Sequence, residues 1–149
     1  MSLKFHKGDA LYPIGTGRKL IVHICNDVGA WGGGFTKPLT RRWLKPKLAY
    51  KNLRPKRLGS VQFVEVESQI TVANVIGQVF HRRNGPPIRY HAVRAGLRTV
   101  AEKCQEANWS VHMPRIGCGL AGGNWTQIEP IIISELVNAG VNVTVYDIQ

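Results

Sequence analysis

The chain has 149 residues, of which 44% are hydrophobic, which fits one globular domain over residues 1–149 and excludes a disordered chain. No apolar run approaches the roughly 18 residues that span a bilayer, so we expect no membrane segment. The net charge of +11 favours anionic partners, because a strongly basic surface attracts polyanions and steers small anions.

Strands and helices are predicted in alternation along the chain. The apolar patterns predict strands over residues 3–7, 19–25, 60–66, 70–77, 110–114 and 141–148. Two short helices, separated at Lys45–Pro46, are predicted within 34–53, and further helices over 88–107 and 126–139. Thr126 and Glu129 fit a capping box for the last helix. Such alternation predicts an α/β protein with a mostly parallel sheet, whose ligands bind at the carboxyl ends of strands.

Basic residues concentrate between residues 37 and 57, a segment that we call the basic stripe. No acidic residue lies between Asp27 and Glu65. The stripe holds nine cations: Lys37, Arg41, Arg42, Lys45, Lys47, Lys51, Arg54, Lys56 and Arg57. It predicts binding of a polyanion such as nucleic acid. The alternative is a solvated surface that keeps the protein soluble.

The cysteines and histidines predict neither disulfides nor a metal site. Cys25, Cys104 and Cys118 are odd in number and show no paired spacing, which is typical of reduced thiols in a cytoplasmic protein. The N-terminal MSLKFHKGD lacks the apolar core of a secretory signal. Because the five histidines show no metal-ligand spacing, we expect neither a metal nor another cofactor.

Two glycine-rich segments each follow a predicted strand. They are NDVGAWGGGF, residues 26–35, and GCGLAGG, residues 117–123. Without a Cβ, glycine lets the backbone approach a ligand closely, and consecutive amides can form a concave nest for an anion. Two such loops at one edge of a sheet suit a diphosphate, whereas the alternative is that both are only tight turns.

Four segments resemble the macro domain family in order and spacing. They are Lys7-Gly8-Asp9, IVHICNDVGAWGGGF, MPRIGCGLAGGNW and the final VTVYDI. The resemblance covers nearly the whole chain. It is closest to the branch that holds the ADP-ribose 1″-phosphate phosphatase and the terminal ADP-ribose protein glycohydrolase. It implies a three-layer α/β/α sandwich with a mixed, mostly parallel sheet that binds ADP-ribose in a cleft across the sheet.

The resemblance also implies roles for individual residues. Asp9 would accept a hydrogen bond from the adenine amino group, Tyr146 would lie near the adenine, and Asn26 near the distal ribose. The phosphate-side loops would be formed by Gly32, Gly33, Gly34 and Phe35 and by Ile116, Gly117, Cys118, Gly119, Leu120 and Ala121. Trp31 is a further candidate for ligand contact. A lowered pKa is expected for the Cys118 thiol in an anion-binding loop, where it would serve as a lining residue.

The chain departs from the glycohydrolase branch at its catalytic groups. That branch places an aspartate directly after Gly-Cys-Gly-Leu, where this chain has Ala121. It also has a lysine after the central strand, whereas residues 73–90 hold Arg82, Arg83 and Arg89 but no lysine. Since arginine stays protonated and cannot act as a nucleophile, we do not expect lysine-adduct glycohydrolase chemistry.

His23 and Asp27 are the candidate catalytic residues. The phosphatase branch has a histidine just before its Cys-Asn and glycine loop, and His23-Ile24-Cys25-Asn26 matches that pattern. A histidine with a near-neutral pKa can act as general acid or base on a phosphate ester, and Asp27 could act as a base or orient water. The alternatives are a buried, hydrogen-bonded strand histidine and a turn aspartate.

Three functions remain open at this level. The first is ADP-ribose binding with phosphatase activity on ADP-ribose 1″-phosphate. The second is a non-catalytic module that binds ADP-ribose or ADP-ribosylated partners, which Ala121 favours. The third is a binder of nucleic acid or poly-ADP-ribose that works through the basic stripe.

Overall fold

Residues 2–80, 86–119 and 121–148 are described by the structure, which is a computed structural model. Within these residues the strands are β1 (Leu3–Lys7), β2 (Lys19–Asn26), β3 (Val61–Glu67), β4 (Ile70–Gln78), β5 (Ser110–Met113) and β6 (Val143–Asp147). The helices are α1 (Thr36–Arg42), α2 (Lys45–Asn52), α3 (Tyr90–Ala107) and α4 (Trp125–Glu135), and a 3-10 turn follows at Val137–Ala139. In the described part of the chain, no helix combines the length and the apolar character that crossing a membrane requires.

The strands form one mixed sheet in the order β1-β6-β5-β2-β4-β3. All neighbouring strands run parallel except β3, which pairs antiparallel with β4. Helices α3 and α4 cover one face, while α1 and α2 pack against the other. The predicted three-layer sandwich with a mostly parallel sheet is therefore confirmed.

The central strand β2 is apolar on both faces because both faces are covered. Leu20 and Val22 pack into the core beneath α3 and α4, whereas Ile21 packs with Leu39 of α1 and Val72 of β4 on the other side. All five side chains are fully buried. This two-sided burial explains why the segment reads as a continuous apolar run without alternation.

Two local predictions about helix starts are wrong. Lys45 and Pro46 begin α2 and do not separate two helices; a proline in the first turn loses no intrahelical hydrogen bond, so it is tolerated there. Thr126 does not cap α4. The N-cap is Asn124, whose Oδ1 accepts a hydrogen bond from the Thr126 amide at 2.9 Å.

Candidate functional site

A cleft of about 1110 Å³ opens at the edge of the sheet where β2, β4, β5 and β6 end. Its volume lies just above the range of about 300 to 1,000 Å³ that is usual for small-molecule sites. The loops after β2 and after β5 form two of its walls. The cleft therefore has room for a ligand of nucleotide size at the position that the parallel topology favours.

Both glycine loops lie on the wall of this one cleft. The predicted residues found there are His23, Asn26, Trp31, Gly32, Gly33, Gly34, Phe35, Ile116, Gly117, Cys118, Gly119, Ala121 and Tyr146. Asp9 and Asp27 are not part of the wall, and Leu120, Arg82 and Arg83 lie outside the described residues. The ligand roles of all these residues stay predictions.

Sequence reasoning missed several residues of the wall. These include Thr36, Pro38, Gln78, Phe80, Pro87, Arg115, Asp147 and Ile148. Most of them share one signal, because they directly follow the carboxyl end of a strand or adjoin a glycine loop. Applying that positional rule to β4 and β6 as well as to β2 and β5 would have found Gln78, Phe80 and Ile148.

The first glycine loop is shaped by the side chain of Asn26. Its Oδ1 accepts hydrogen bonds from the amides of Val28, Gly29 and Ala30 at 3.0–3.1 Å, and its Nδ2 donates to the Ala30 carbonyl at 2.7 Å. The Asn26 side chain thus fixes the backbone of the first loop with its oxygen and one N–H of its Nδ2 group.

Helix α2 holds the same loop from behind. The hydroxyl of Tyr50, which is fully buried, lies 2.7 Å from both the backbone oxygen and Oδ1 of Asn26. It also accepts a hydrogen bond from the Gly29 amide at 3.1 Å. Gly29 has a φ of +91°, a left-handed conformation in which a side chain would be strained.

His23 lies at the floor of the cleft and is 2% exposed. Its Nε2 is 2.6 Å from Oδ1 of Asn74, whose Nδ2 donates to the Pro46 carbonyl and to Gln62 Oε1. The hydrogen-bond network therefore places the proton of the neutral imidazole on Nε2. The buried Nδ1 has no hydrogen-bond partner among the described residues.

Burial sets the protonation state of His23. Loss of solvation lowers its pKa to about 4, although the hydrogen bond to Asn74 raises it in part. The ring is neutral at pH 7 and presents an acceptor, not an acid, at Nδ1. The expectation of a near-neutral pKa for this histidine is wrong, because the strand that carries it is covered on both faces.

Aromatic rings close over His23. The rings of Trp31 and Phe35 lie 5.5 and 5.7 Å from the imidazole, and Trp31 also contacts the Tyr50 ring at 5.2 Å. The indole Nε1 of Trp31 donates to Thr40 Oγ1 at 2.7 Å. Trp31 therefore anchors the first loop to α1 and α2 while part of it lines the cleft.

The second glycine loop is held by close packing. Gly117 has a φ of +72°, and a Cβ at this position would lie 2.7 Å from Ile88 Cδ1, so only glycine fits. The Ala121 carbonyl accepts a hydrogen bond from the Ile88 amide at 3.0 Å. Burial raises the pKa of the Cys118 thiol, and the opposing effect of the Arg115 charge is smaller, so the expected lowering is wrong.

Arg115 and Asp147 form an ion pair on the cleft wall. The guanidinium donates from Nε and Nη2 to the two carboxylate oxygens at 2.8 and 2.9 Å. It also contacts the rings of Phe5 and Trp125, 4.9 and 4.7 Å from their centroids. The pair with Arg115 lowers the pKa of Asp147, so this carboxylate remains an acceptor at neutral pH.

Tyr146 of β6 lines the cleft two strands away from His23 of β2 and is 3% exposed. Its hydroxyl accepts a hydrogen bond from the Ile14 amide at 3.0 Å and lies 2.7 Å from His112 Nδ1. Burial, with the nearby charge of Lys19, lowers the pKa of His112 to about 4. The neutral His112 therefore accepts a hydrogen bond from the Tyr146 hydroxyl at Nδ1, and the orientation of Tyr146 is fixed.

The two carboxylates predicted for the site lie beside the cleft. Asp9 Oδ1 accepts a hydrogen bond from the Leu11 amide at 2.9 Å, and the neighbouring Gly8 donates its amide to the Asp147 carbonyl. Asp27 directly follows Asn26, and its buried Oδ1 has no hydrogen-bond partner in the described part. Across the described ranges, no group of three or more His, Cys, Asp or Glu residues could hold a metal ion.

This fold and site define an α/β protein whose ligand cleft lies at the carboxyl ends of parallel strands and is walled by two glycine loops. A solved Bacteroides thetaiotaomicron protein of unknown function is 49% identical, with a TM-score of 0.95 over 99% of this chain and 98% of that one. The macrodomain protein of Streptomyces coelicolor is 43% identical, with a TM-score of 0.87 over 98% and 99%. The chain belongs to the macrodomain family, which confirms the resemblance seen in the sequence.

Curated relatives extend the comparison. The ADP-ribose 1″-phosphate phosphatase of Lodderomyces elongisporus is 25% identical over 99% of this chain and 100% of its own length. The chromodomain-helicase-DNA-binding protein 1-like of Mus musculus is 29% identical over 97% of this chain. The chain spans only 18% of that mouse protein's length. No protein-family model matches the chain, so the assignment rests on its full-length relatives.

The buried histidines predict how stability depends on pH. His23 and His112 stay neutral in the native state down to a pKa of about 4, whereas in the unfolded chain each binds a proton below its ordinary pKa of 6.5. The unfolded state binds more protons in this window, so the unfolding free energy decreases as pH falls. We expect a loss of about 2 kcal/mol per histidine by about pH 5.

Urea unfolding between about pH 7.5 and 5 measures the slope of the unfolding free energy against pH. His23→Gln should reduce the slope, while His91→Gln, at an exposed position of α3, should not change it. Equal unfolding free energies at both ends of the window would contradict the prediction.

Proposed function

We propose that the protein binds ADP-ribose or a close derivative in the cleft. The observation that carries this proposal is that backbone amides on both glycine loops have no hydrogen-bond acceptor among the described residues. The N–H groups of Gly33, Gly34, Phe35 and Gly119 have no acceptor among the described residues, and all four residues line the cleft. Amides without acceptors on two loops of one cleft suit the oxygens of a diphosphate.

The remaining walls suit the other parts of such a ligand. At one end, Tyr146 and the exposed Ile148 supply apolar surface for a base. Asp9 follows Gly8, whose amide donates to the Asp147 carbonyl, and would accept from the amino group of the base. At the other end, His23 Nδ1 is an acceptor without a partner among the described residues, which suits a bound water or a hydroxyl of the ligand. The name of the Lodderomyces relative, an ADP-ribose 1″-phosphate phosphatase, supports the same ligand.

Blocking the second loop should abolish binding without loss of stability. Gly119 lines the cleft, has no positive φ, and a Cβ there would meet nothing within 4 Å. Gly119→Phe should therefore fold normally and fill the cleft. In titration calorimetry we expect about −8 kcal/mol for ADP-ribose and the wild type, and no detectable binding for the variant.

Two matched variants control this experiment. Gly119→Ala adds only a methyl group and should retain binding. Asp9→Asn keeps an oxygen for the Leu11 amide but removes the charge, so it should weaken ADP-ribose more than ribose 5-phosphate, which has no adenine. Failure of the wild type to bind ADP-ribose would refute the proposed function.

We further propose hydrolysis of ADP-ribose 1″-phosphate, with His23 as an acceptor. A water held at Nδ1 would attack phosphorus, the bond between phosphorus and the ribose oxygen would break, and the proton given up by the attacking water would end on that ribose oxygen, leaving ADP-ribose and phosphate. The lowered pKa of about 4 excludes His23 as the acid at neutral pH. The second function, binding without turnover, differs only in this step, and Ala121 in place of the aspartate favours it.

The pH profile of turnover tests the role of His23. We expect kcat/KM to be independent of His23 ionisation between about pH 5 and 8 and to fall as pH approaches 4, because protonation removes the acceptor at Nδ1. Phosphate release assays on wild type and His23→Ala check this. Turnover lost in the variant with ADP-ribose binding kept supports the enzyme, whereas no turnover by the wild type supports the binding module.

A polyanion could also bind along the basic stripe. No carboxylate among the described residues pairs with Lys37, Arg41, Lys47, Lys51, Arg54, Lys56 or Arg57. The stripe therefore carries uncompensated positive charge, which nucleic acid or poly-ADP-ribose would neutralise with release of counterions.

Salt dependence separates this function from cleft binding. Affinity for an oligothymidylate, measured by fluorescence anisotropy, should fall about tenfold between 50 and 200 mM salt. Arg41→Gln/Lys47→Gln should weaken it, while Gly119→Phe should leave it unchanged. Lys4→Gln/Lys103→Gln removes the same charge from β1 and α3 and serves as the control. An affinity that does not respond to salt would exclude the stripe.

A further inference from the structure

The cleft wall carries one pair of charged side chains that the proposed function does not use. Among the described residues that line the cleft, Arg115 and Asp147 are the two that are charged at neutral pH. Their side chains are 39% and 41% exposed, so both remain accessible from the cleft. Because backbone amides supply the donors for a diphosphate, the ion pair is available for another part of the ligand.

The ion pair lies between the surface for the base and the second glycine loop. Asp147 directly follows Tyr146, which lines the cleft at the base end, and Arg115 directly precedes Ile116 and Gly117 of the second loop. The side chains of Arg115 and Asp147 thus connect these two parts of the wall. In ADP-ribose, the ribose that joins the base to the diphosphate has to pass this point.

The Asp147 carboxylate is held in place and still has free acceptor positions. Each of its two oxygens accepts one hydrogen bond from Arg115, and neither accepts another among the described residues. A carboxylate offers about four acceptor positions, so about one remains on each oxygen. The guanidinium is itself held by its contacts with the rings of Phe5 and Trp125. The arrangement suits two neighbouring hydroxyl groups.

We propose that Asp147, oriented by Arg115, accepts hydrogen bonds from the hydroxyls of the ribose next to the base and excludes ligands that carry a phosphate on the 2′ oxygen. The inference rests on the proposed ADP-ribose site and restricts its ligands to nucleotides with a free 2′ hydroxyl. In other dinucleotide sites a carboxylate accepts from this hydroxyl, whereas an arginine accommodates a 2′-phosphate. Here the carboxylate neutralises the arginine, so a phosphate of about −1.5 to −2 charges would meet a carboxylate.

Calorimetry at fixed ionic strength with three nucleotides tests the selectivity. They are ADP-ribose, its 2′-deoxy analogue and ADP-ribose 2′-phosphate. We expect the wild type to bind the deoxy analogue about fivefold more weakly than ADP-ribose, because one hydrogen bond to a partly exposed carboxylate is lost. We expect the 2′-phosphate to bind about tenfold more weakly or worse, because like charges face each other.

Two variants should change the selectivity in opposite directions. Asp147→Asn keeps the size of the side chain and an oxygen for Arg115 but removes the negative charge. The preference for ADP-ribose over its 2′-phosphate should then disappear or reverse, because Arg115 is no longer neutralised. Arg115→Gln leaves the carboxylate uncompensated and should keep or increase the preference. A merely structural defect would weaken all three nucleotides alike.

A charge-matched control completes the experiment. Glu102→Gln removes one negative charge from an exposed position of α3 that does not line the cleft, and it should keep the wild-type preference.

Four results would overturn the inference while ADP-ribose binding still stands. They are equal affinity of the wild type for ADP-ribose and its 2′-phosphate, no loss with the deoxy analogue, an unchanged preference in Asp147→Asn, and an equal loss of preference in Glu102→Gln. Absence of ADP-ribose binding by the wild type is a different result, since it refutes the proposed function and this selectivity with it.

Discussion

Strand β2 lies between β5 and β4, and all three run parallel, so their carboxyl ends meet at one edge of the sheet. The register between β2 and β4 shifts at Cys25 and Asn26, where β2 leaves the sheet. The first glycine loop follows the end of β2, and the second follows the end of β5. The cleft exists because parallel pairing brings together two loops that are about ninety residues apart in the chain.

Helix α2 positions the cleft more than any other element. Its Tyr50 holds the Asn26 loop, and the carbonyl of its Pro46 orients Asn74, which in turn fixes the tautomer of His23. The same helix carries Lys51 of the basic stripe, which donates a hydrogen bond to the Gly29 carbonyl. One short helix therefore connects the loop geometry, the histidine at the cleft floor and the positive charge at its rim. The basic stripe and the cleft are thus neighbouring parts of one surface, which the charge distribution along the chain does not reveal.

The two histidines buried in the sheet are neutral and hydrogen-bonded. His23 lies against Asn74 and His112 against Tyr146, and burial lowers both histidine pKa values. In a chain of net charge +11, further positive charge in the core would be costly. His23 Nδ1 is buried at the cleft and has no hydrogen-bond partner in the described part of the chain. An unpaired acceptor at that place is a feature of the site, since elsewhere it would only reduce stability.

The sequence by itself determined the elements with strong local patterns. The apolar run of β2 and the helical spacing of Val93, Leu97 and Val100 in α3 follow from burial on known faces, and the glycine loops follow from backbone conformations that need no side chain. The starts of α2 and α4 were predicted wrongly, because proline fits both a break between helices and the first turn of a helix, and because Asn124 and Thr126 are both residues that can cap one.

Only the tertiary structure decided which side chains meet. It placed Arg115 and Asp147 on the wall, left Asp9 and Asp27 beside it, lowered the pKa of His23 and raised that of Cys118. These outcomes depend on desolvation and on partners distant in sequence, such as Asn74 for His23. The local sequence pattern indicates which secondary structure a segment prefers, whereas burial and electrostatic environment are properties of the packed chain.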